Sequence, residues 1–234
     1  MSDGDRTPEV PAEDATVVLA AAAHEIKNAL GPLGMTLQIV ERQLLGGQPI
    51  APADLAFTRA QVRRLSGLVD DLLDLTRADL DALAFRPGPV DLRAVATEAV
   101  ETFRRGRSAL VTLELPKTPL AVTIDLGRMV QVLVNLLENA VRYSPAGLPV
   151  VVAAMRKSAT TARLEVRDRG PGLGADEQAR IFGRFVRGTA AEGTSGLGIG
   201  LYLCRAIVER HGGTIGVDSV AGGGATFWIE ILSG

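Results

Sequence analysis

Residues 19–44 read LAAAAHEIKNALGPLGMTLQIVERQL. Within them Leu19, Ala23, Ile26, Leu30, Leu33, Leu37, Val40 and Leu44 recur alternately four and three apart. That is the a/d seam of one continuous helix. His24, Lys27 and Asn28 fall off the seam, so the helix core has no need of a histidine there. Glu25 adjoins His24, and Asn28 lies one turn along the same face. A lone histidine on a polar face is ordinarily just solvated. A histidine, a carboxylate and an amide exposed together on a coiled-coil surface make a candidate chemical site, provided the rest of the chain supplies something for them to react with.

Working outward, the helix is predicted over 14–45, with Gly46, Gly47, Pro49 and Pro52 ending it. Residues 1–13, with Gly4, Pro8 and Pro11, read as a disordered lead. A second helix is predicted over about 54–83, where Leu55, Val62, Leu65, Val69, Leu72 and Leu75 keep helical spacing and Leu68 and Leu73 widen the stripe. Two helices joined by a short loop form an antiparallel hairpin over 14–85. Two such broad stripes would stay exposed in one copy, and pairing two copies into a four-helix bundle buries them. A homodimer is therefore expected.

Pro87-Gly88-Pro89 reads as a linker or turn, and beyond it a second domain is expected over 90–234. Asp91 can cap a helix to about 104. Val111–Leu115 and Ala121–Ile124 read as strands, and Asp125 opens a long helix to about Arg142. Val150–Met155 and Ala162–Arg167 read as two strands joined at Ser158-Ala159-Thr160. A glycine-rich stretch fills 170–200, Leu201–Arg210 is a helix, and Thr214–Val217 with Ala225–Ile231 form a last hairpin. The predicted fold class is α+β: the dimeric helical hairpin, then a two-layer sandwich of sheet and helices.

Composition narrows the function classes. The chain has 234 residues, 47% of them hydrophobic, and a formal charge of -2, so nothing in its charge calls for nucleic acid or an anionic membrane. Aromatics are scarce, which argues against a base-stacking surface. Cys204 is the only cysteine, so no internal disulfide and no cysteine-rich metal site can form. The apolar run Ala15–Ala23 is far short of a membrane span and lacks a basic leader; the chain reads as soluble.

Three features of the second half carry chemistry. Asn135 and Asn139 lie four apart on the long helix, with Arg142 and Tyr143 a turn further on; an amide oxygen is a hard ligand suited to Mg²⁺, and Arg142 can fork onto a phosphate. Asp168-Arg169-Gly170-Pro171-Gly172 follows a strand, placing a carboxylate where it can accept from a base amine while glycine backbone approaches the ligand. Gly196-Leu197-Gly198-Ile199-Gly200 opens the helix at Leu201, offering backbone N–H groups and helix dipole to phosphate. It is neither a Walker A loop nor a Rossmann fingerprint. Each feature alone is ordinary; in this order, with His24 upstream, they are highly specific.

The combination resembles the kinase core of a bacterial two-component sensor histidine kinase. His24–Asn28 resembles the H box, Asn135–Asn139 the N box, Asp168–Gly172 the G1 box, Phe182–Phe185 the F box and Gly196–Gly200 the G2 box. Thr226 sits where the last glycine-rich box ends. The resemblance runs from residue 15 to 234 and implies the ATP-binding fold shared with gyrase and heat-shock chaperones. It implies His24 as phosphoacceptor, Glu25 as its general base, and Asn28 positioning a water for dephosphorylation. ATP and Mg²⁺ are the implied cofactors, with Asn139 holding the metal, Asp168 the adenine amine and Arg142 a phosphate. Gly196, Leu197 and Gly198 would form the phosphate-side loop and hinge of a lid over 173–195, docked by Phe182 and Phe185. The implied partners are a second copy, a response regulator receiver domain and an upstream sensor protein or sensor domain, with no nucleic acid. The implied location is cytoplasmic, free or as the cytoplasmic portion of a membrane-anchored kinase.

Two positions depart from the family pattern. Ala29 stands where a proline commonly lies five residues after the phosphoacceptor, and Pro32 comes one turn later, so the kink of the helix is expected to be displaced. Thr194 stands where a glycine is common, which would stiffen the lid. Two rival readings remain. The ATPases of the superfamily carry a glutamate base at the position of Asn135, where an amide cannot activate water. A non-catalytic dimeric adaptor would keep the fold without the activity.

Overall fold

The computed structural model describes residues 12–79, 85–105, 109–186, 188 and 198–233. The expected lead at 1–13 falls mostly outside them. The chain forms two compact units, one of them the helical segment up to residue 82 and the other the segment from residue 83 onward.

The first unit is a helical hairpin of α1 (Ala12–Leu45) and α2 (Pro52–Asp79). The chain leaves α1 through Gly47 at a φ of 64°, a left-handed turn that glycine adopts without strain. Pro32 lies inside α1. It has no N–H to give the carbonyl of Asn28, so the break in the hydrogen-bond ladder sits one turn past His24. The Thr36 hydroxyl donates to the Pro32 carbonyl at 3.0 Å, a back-bond that itself bends helices. Ala29, in the family's proline position, is fully buried. The predicted seam divides: Ile26, Leu33 and Val40 are half-buried, whereas Leu30, Leu37 and Leu44 stay exposed. Along this face Ala23, Ile26, Lys27, Leu30, Gly31 and Gly34 line part of an open groove of about 740 Å³.

The second unit begins with β1 (Gly88–Asp91), α3 (Leu92–Arg104), β2 (Val111–Glu114), β3 (Ala121–Ile124) and α4 (Leu126–Tyr143). Next come β4 (Val150–Arg156), β5 (Thr161–Arg167), α5 (Ala175–Arg180), α6 (Gly200–Arg210), β6 (Thr214–Ser219) and β7 (Ala225–Leu232). The main sheet runs β2-β4-β5-β7-β6, parallel between β2 and β4 and antiparallel elsewhere. β1 and β3 pair separately. The Pro87–Pro89 turn of the sequence reading is thus partly a strand, with Pro89 on a two-stranded ribbon where its missing N–H costs little. The short α5 lies inside the glycine-rich stretch, where no helix is predicted.

Alternation along the strands fixes the layers. Leu164, Val166, Phe227, Ile229 and Ile231 turn to one face and join Val132, Leu133, Leu136 and Leu137 of α4 and Leu92, Val95 and Phe103 of α3 in one core. The other face is polar. There Arg163 pairs with Glu165, Asp218 and Glu230 at 2.9–3.2 Å and lies over the Trp228 ring. Trp228 in turn occupies the space that a Cβ at Gly216 would need. No helix among the described residues is long and apolar enough to cross a membrane.

Candidate nucleotide and phosphotransfer site

α4 is the spine of the candidate nucleotide site. Asp125 caps it, accepting from the Arg128 N–H at 3.1 Å. The apolar face of the helix enters the core, and Asn135 and Asn139 lie half-buried beside it. Asn139 Nδ2 donates to Asn135 Oδ1 at 3.3 Å. That leaves Asn139 Oδ1, a neutral hard oxygen, unused among the described residues; one amide oxygen with water and phosphate oxygens is a donor set that suits Mg²⁺. Among the described residues no cluster of histidine, cysteine or acidic side chains offers a rival metal site.

The C-terminal end of α4 meets the Asp168 turn. Arg169 N–H donates to the Ser144 hydroxyl at 3.2 Å, and a Cβ at Gly170 would stand 2.9 Å from the Tyr143 carbonyl. Asp168 Oδ1 accepts from Gly170 N at 2.7 Å and Ala225 N at 3.2 Å, while Oδ2 keeps no bond among the described residues. Burial pushes this carboxyl above the usual carboxylate range, and the two N–H donors pull it partly back. A half-buried acceptor of that kind suits an exocyclic amine. Gly172, at a φ of 71°, could carry no side chain because its Cβ would run into the Val220 carbonyl.

Near its middle, α4 meets the start of α6, where Gly200 faces the Asn135 amide. Just before it, Gly198 has a φ of 68° and packs so close to Phe185 and Val186 that a Cβ would lie 2.8 Å from the Val186 carbonyl. Gly196, Leu197 and Thr194 lie outside the described residues. Phe182 stands edge-on to Phe227 at 6.3 Å and joins the core. Phe185 takes a φ of 60°, the left-handed region that an aromatic residue rarely enters.

The structure thus joins Asn135, Asn139 and Gly200 at one contact and Tyr143, Asp168 and Gly170 at another, while Gly172 packs against Val220 and Gly198 against Phe185 and Val186. Arg142 is exposed at the end of α4. Thr226 is not brought in: it pairs with Arg167 and Asp218 on the polar face of the sheet, and the backbone of Ala225 serves Asp168 instead. Sequence reasoning missed Arg184, whose guanidinium lies over Tyr202 and donates to its hydroxyl at 2.7 Å, pinning the F-box segment to α6. The Phe-Gly-Arg-Phe spacing hinted at a function there, but its partner lies 18 residues on.

On α1, His24 and Glu25 lie within the helix, and their side chains are outside the described set; Asn28 is exposed. The other histidine, His211, ends α6. Its Nε2 accepts from the Asp125 N–H at 2.9 Å, which requires Nδ1 to carry the proton, and Nδ1–H donates to the Ile207 carbonyl at 2.7 Å. Both ring nitrogens are committed, Nε2 to the cap of α4 and Nδ1 to the backbone of α6 itself.

Family comparison decides the matter. Residues 16–81 match the His Kinase A phospho-acceptor domain. Residues 124–233 match the histidine kinase-, DNA gyrase B- and HSP90-like ATPase domain. The chain belongs to the two-component sensor histidine kinases. This kinase core is 34% identical over 223 residues to the adaptive-response sensory kinase SasA of Thermosynechococcus vestitus, covering 92% of the chain and 59% of that relative. It is 34% identical over 208 residues to the histidine-protein kinase/phosphatase MprB of Mycolicibacterium vanbaalenii, covering 87% of the chain and 42% of that relative. Full-length ShkA, solved in complex with AMPPNP, superposes with a TM-score of 0.63 at 26% identity, over 92% of this chain and 45% of that one. The chain spans about half the length of the curated relatives it matches.

Proposed function

We propose that the chain is an ATP-dependent, autophosphorylating protein histidine kinase that phosphorylates His24 and passes the phosphoryl group to an aspartate of a response regulator receiver domain. The observation that carries this reading is the state of the two histidines. His211 has no lone pair to spare, so His24 is the one imidazole able to act as a nucleophile toward a nucleotide held on α4. A neutral imidazole attacks well near pH 7. In the step, the bond from the γ-phosphorus to the β–γ bridging oxygen breaks and a nitrogen–phosphorus bond forms. ADP leaves, and the proton on the other ring nitrogen passes to Glu25.

Phosphoryl transfer is mostly positioning and charge neutralisation. Asp168 Oδ2 receives the adenine amine, and Asn139 Oδ1 holds Mg²⁺, which neutralises phosphate charge when bound. Arg142 reaches a phosphate, and Asn28 orients a water for the reverse, dephosphorylating reaction. A homodimer through α1 and α2 covers the exposed Leu30, Leu37 and Leu44, and a sensor protein or sensor domain supplies the signal.

Incubation with γ-labelled ATP and Mg²⁺ tests this. Acid-labile label on the protein, lost in His24→Ala while nucleotide binding persists, is the expected result. Steady release of free phosphate without label would make the chain an ATPase, and neither product would make it an adaptor.

A further inference from the structure

Gly200 is an unusual choice for the first residue of a helix that is otherwise well formed. Its φ is not in the positive region where other glycines of this chain lie, so the backbone does not demand glycine. A glycine in a helix costs about 1 kcal/mol relative to alanine. What excludes a side chain is space: a Cβ would stand 2.7 Å from Asn135 Nδ2, 2.9 Å from its Oδ1 and 3.2 Å from its Cγ. The Asn135 amide occupies the space that a Cβ at Gly200 would need. Held there, its oxygen faces along α4 and accepts from Asn139 Nδ2 at 3.3 Å.

An amide has one donor end and one acceptor end. Fixing Nδ2 of Asn139 therefore fixes where its oxygen points. We propose that Asn135 is a positioning residue, seated by Gly200, that aims Asn139 Oδ1 at the metal and sets Mg²⁺ affinity without ligating the ion itself. The inference rests on the reading of Asn139 as the metal residue. It also explains why an amide at position 135 is compatible with a kinase. The group there serves to orient a ligand, and a carboxylate base for water is not required. Groups that orient metal ligands typically change metal affinity about 10- to 100-fold when removed.

The experiment is calorimetry on the full chain with a non-hydrolysable ATP analogue, in Mg²⁺ and in EDTA, reading the factor by which Mg²⁺ tightens binding. Asn139→Ala abolishes that factor. Asn135→Ala and Gly200→Ala each cut it about 10-fold. The double variant is no worse than Asn135→Ala, because the alanine at 200 harms only by displacing the amide. Thermal melting of each variant is read alongside, and a reduced Mg²⁺ factor in a variant that melts near wild type is the expected result, whereas a reduced factor seen only together with a lowered melting temperature overturns the inference. A full Mg²⁺ factor in Asn135→Ala beside a lost one in Asn139→Ala overturns the inference and leaves the metal assignment standing. Effects of the two substitutions that multiply in the double variant overturn it as well. An undiminished factor in Asn139→Ala overturns the metal assignment itself.

Discussion

The two units satisfy their hydrophobic residues in different ways. In the catalytic unit, Leu133, Leu137 and Ile229 are fully buried within one chain. In the hairpin, Leu30 and Leu37 remain 49% and 50% exposed, although they sit on the same kind of regular seam. A two-layer sandwich closes its own core; two helices have no third layer to close theirs. The difference fits the proposed assembly, in which the ATP-binding unit closes its core within one chain and the helical hairpin presents a stripe for a second copy to cover. Burying the half of each leucine that is still exposed contributes about 1 kcal/mol, which favours association along the stripe.

The comparison breaks first at His24. His24→Ala should remove all acid-labile label and leave both the dimer and nucleotide binding intact; residual label of more than a trace would move the chemistry elsewhere. Next is the seam. Leu30→Asp with Leu37→Asp should give monomers or aggregates by light scattering, whereas a fragment of 85–234 should be monomeric, bind ATP and phosphorylate nothing by itself. A dimeric fragment would erase the contrast between the units. Within the closed core, Leu133→Ala should cost about 2–5 kcal/mol in urea denaturation of the fragment and leave the association state of the full chain alone.

Much of this was legible from residue order, and the misses have physical causes. Periodicity located α1 and α2, because each carries an apolar stripe at helical spacing. Asp91 and Asp125 announced helix starts through the one-residue chemistry of capping. β1 was hidden because a proline–glycine–proline run looks like a turn unless its partner β3 is known. α5 was hidden because it buries nothing and so shows no stripe. The resemblance names Thr226 a site residue, as the place where the last glycine-rich box ends. The alternation of Ala225, Phe227 and Ile229 toward the core already turned it to the other face. The contact of Gly200 with Asn135 had no local trace, since it joins positions from different motifs through the packing of α6 on α4.

Two carboxylates sharpen the comparison on a smaller scale, one holding the fold and one proposed to receive the adenine amine. Asp91 is held down to about 2, chiefly by the Arg93 side chain and also by N–H donors from Arg93 and Leu120. A carboxyl lowered in the folded state binds its proton more weakly there than in the unfolded chain. Its contribution is full above the ordinary carboxylate pKa of about 3.9 and is lost as pH falls toward 2. Asp91→Ala should cost about 1 kcal/mol at neutral pH, with the difference from wild type shrinking in acid. Asp168 has the opposite sign. Burial raises it, so the folded state takes up the proton first and stability falls as pH rises through that raised value. The smallest expected effect is therefore a gain: Asp168→Asn without nucleotide should melt slightly higher than wild type at pH 7, yet discriminate adenine from guanine nucleotides less well. An unchanged adenine preference would return Asp168 to the fold.

The pinch between Gly198 and Val186 has a consequence for how this protein tolerates change. The chain at Val186 already touches the chain at Gly198, so the sequence between them closes a ring whose ends are fixed side by side. Lengthening such a ring costs only the logarithm of its size, about 0.6 kcal/mol for each doubling. A reporter peptide spliced into that ring should hardly alter the melting of the unit, whereas a single methyl group added at Gly198, where chain crosses chain, should be felt throughout.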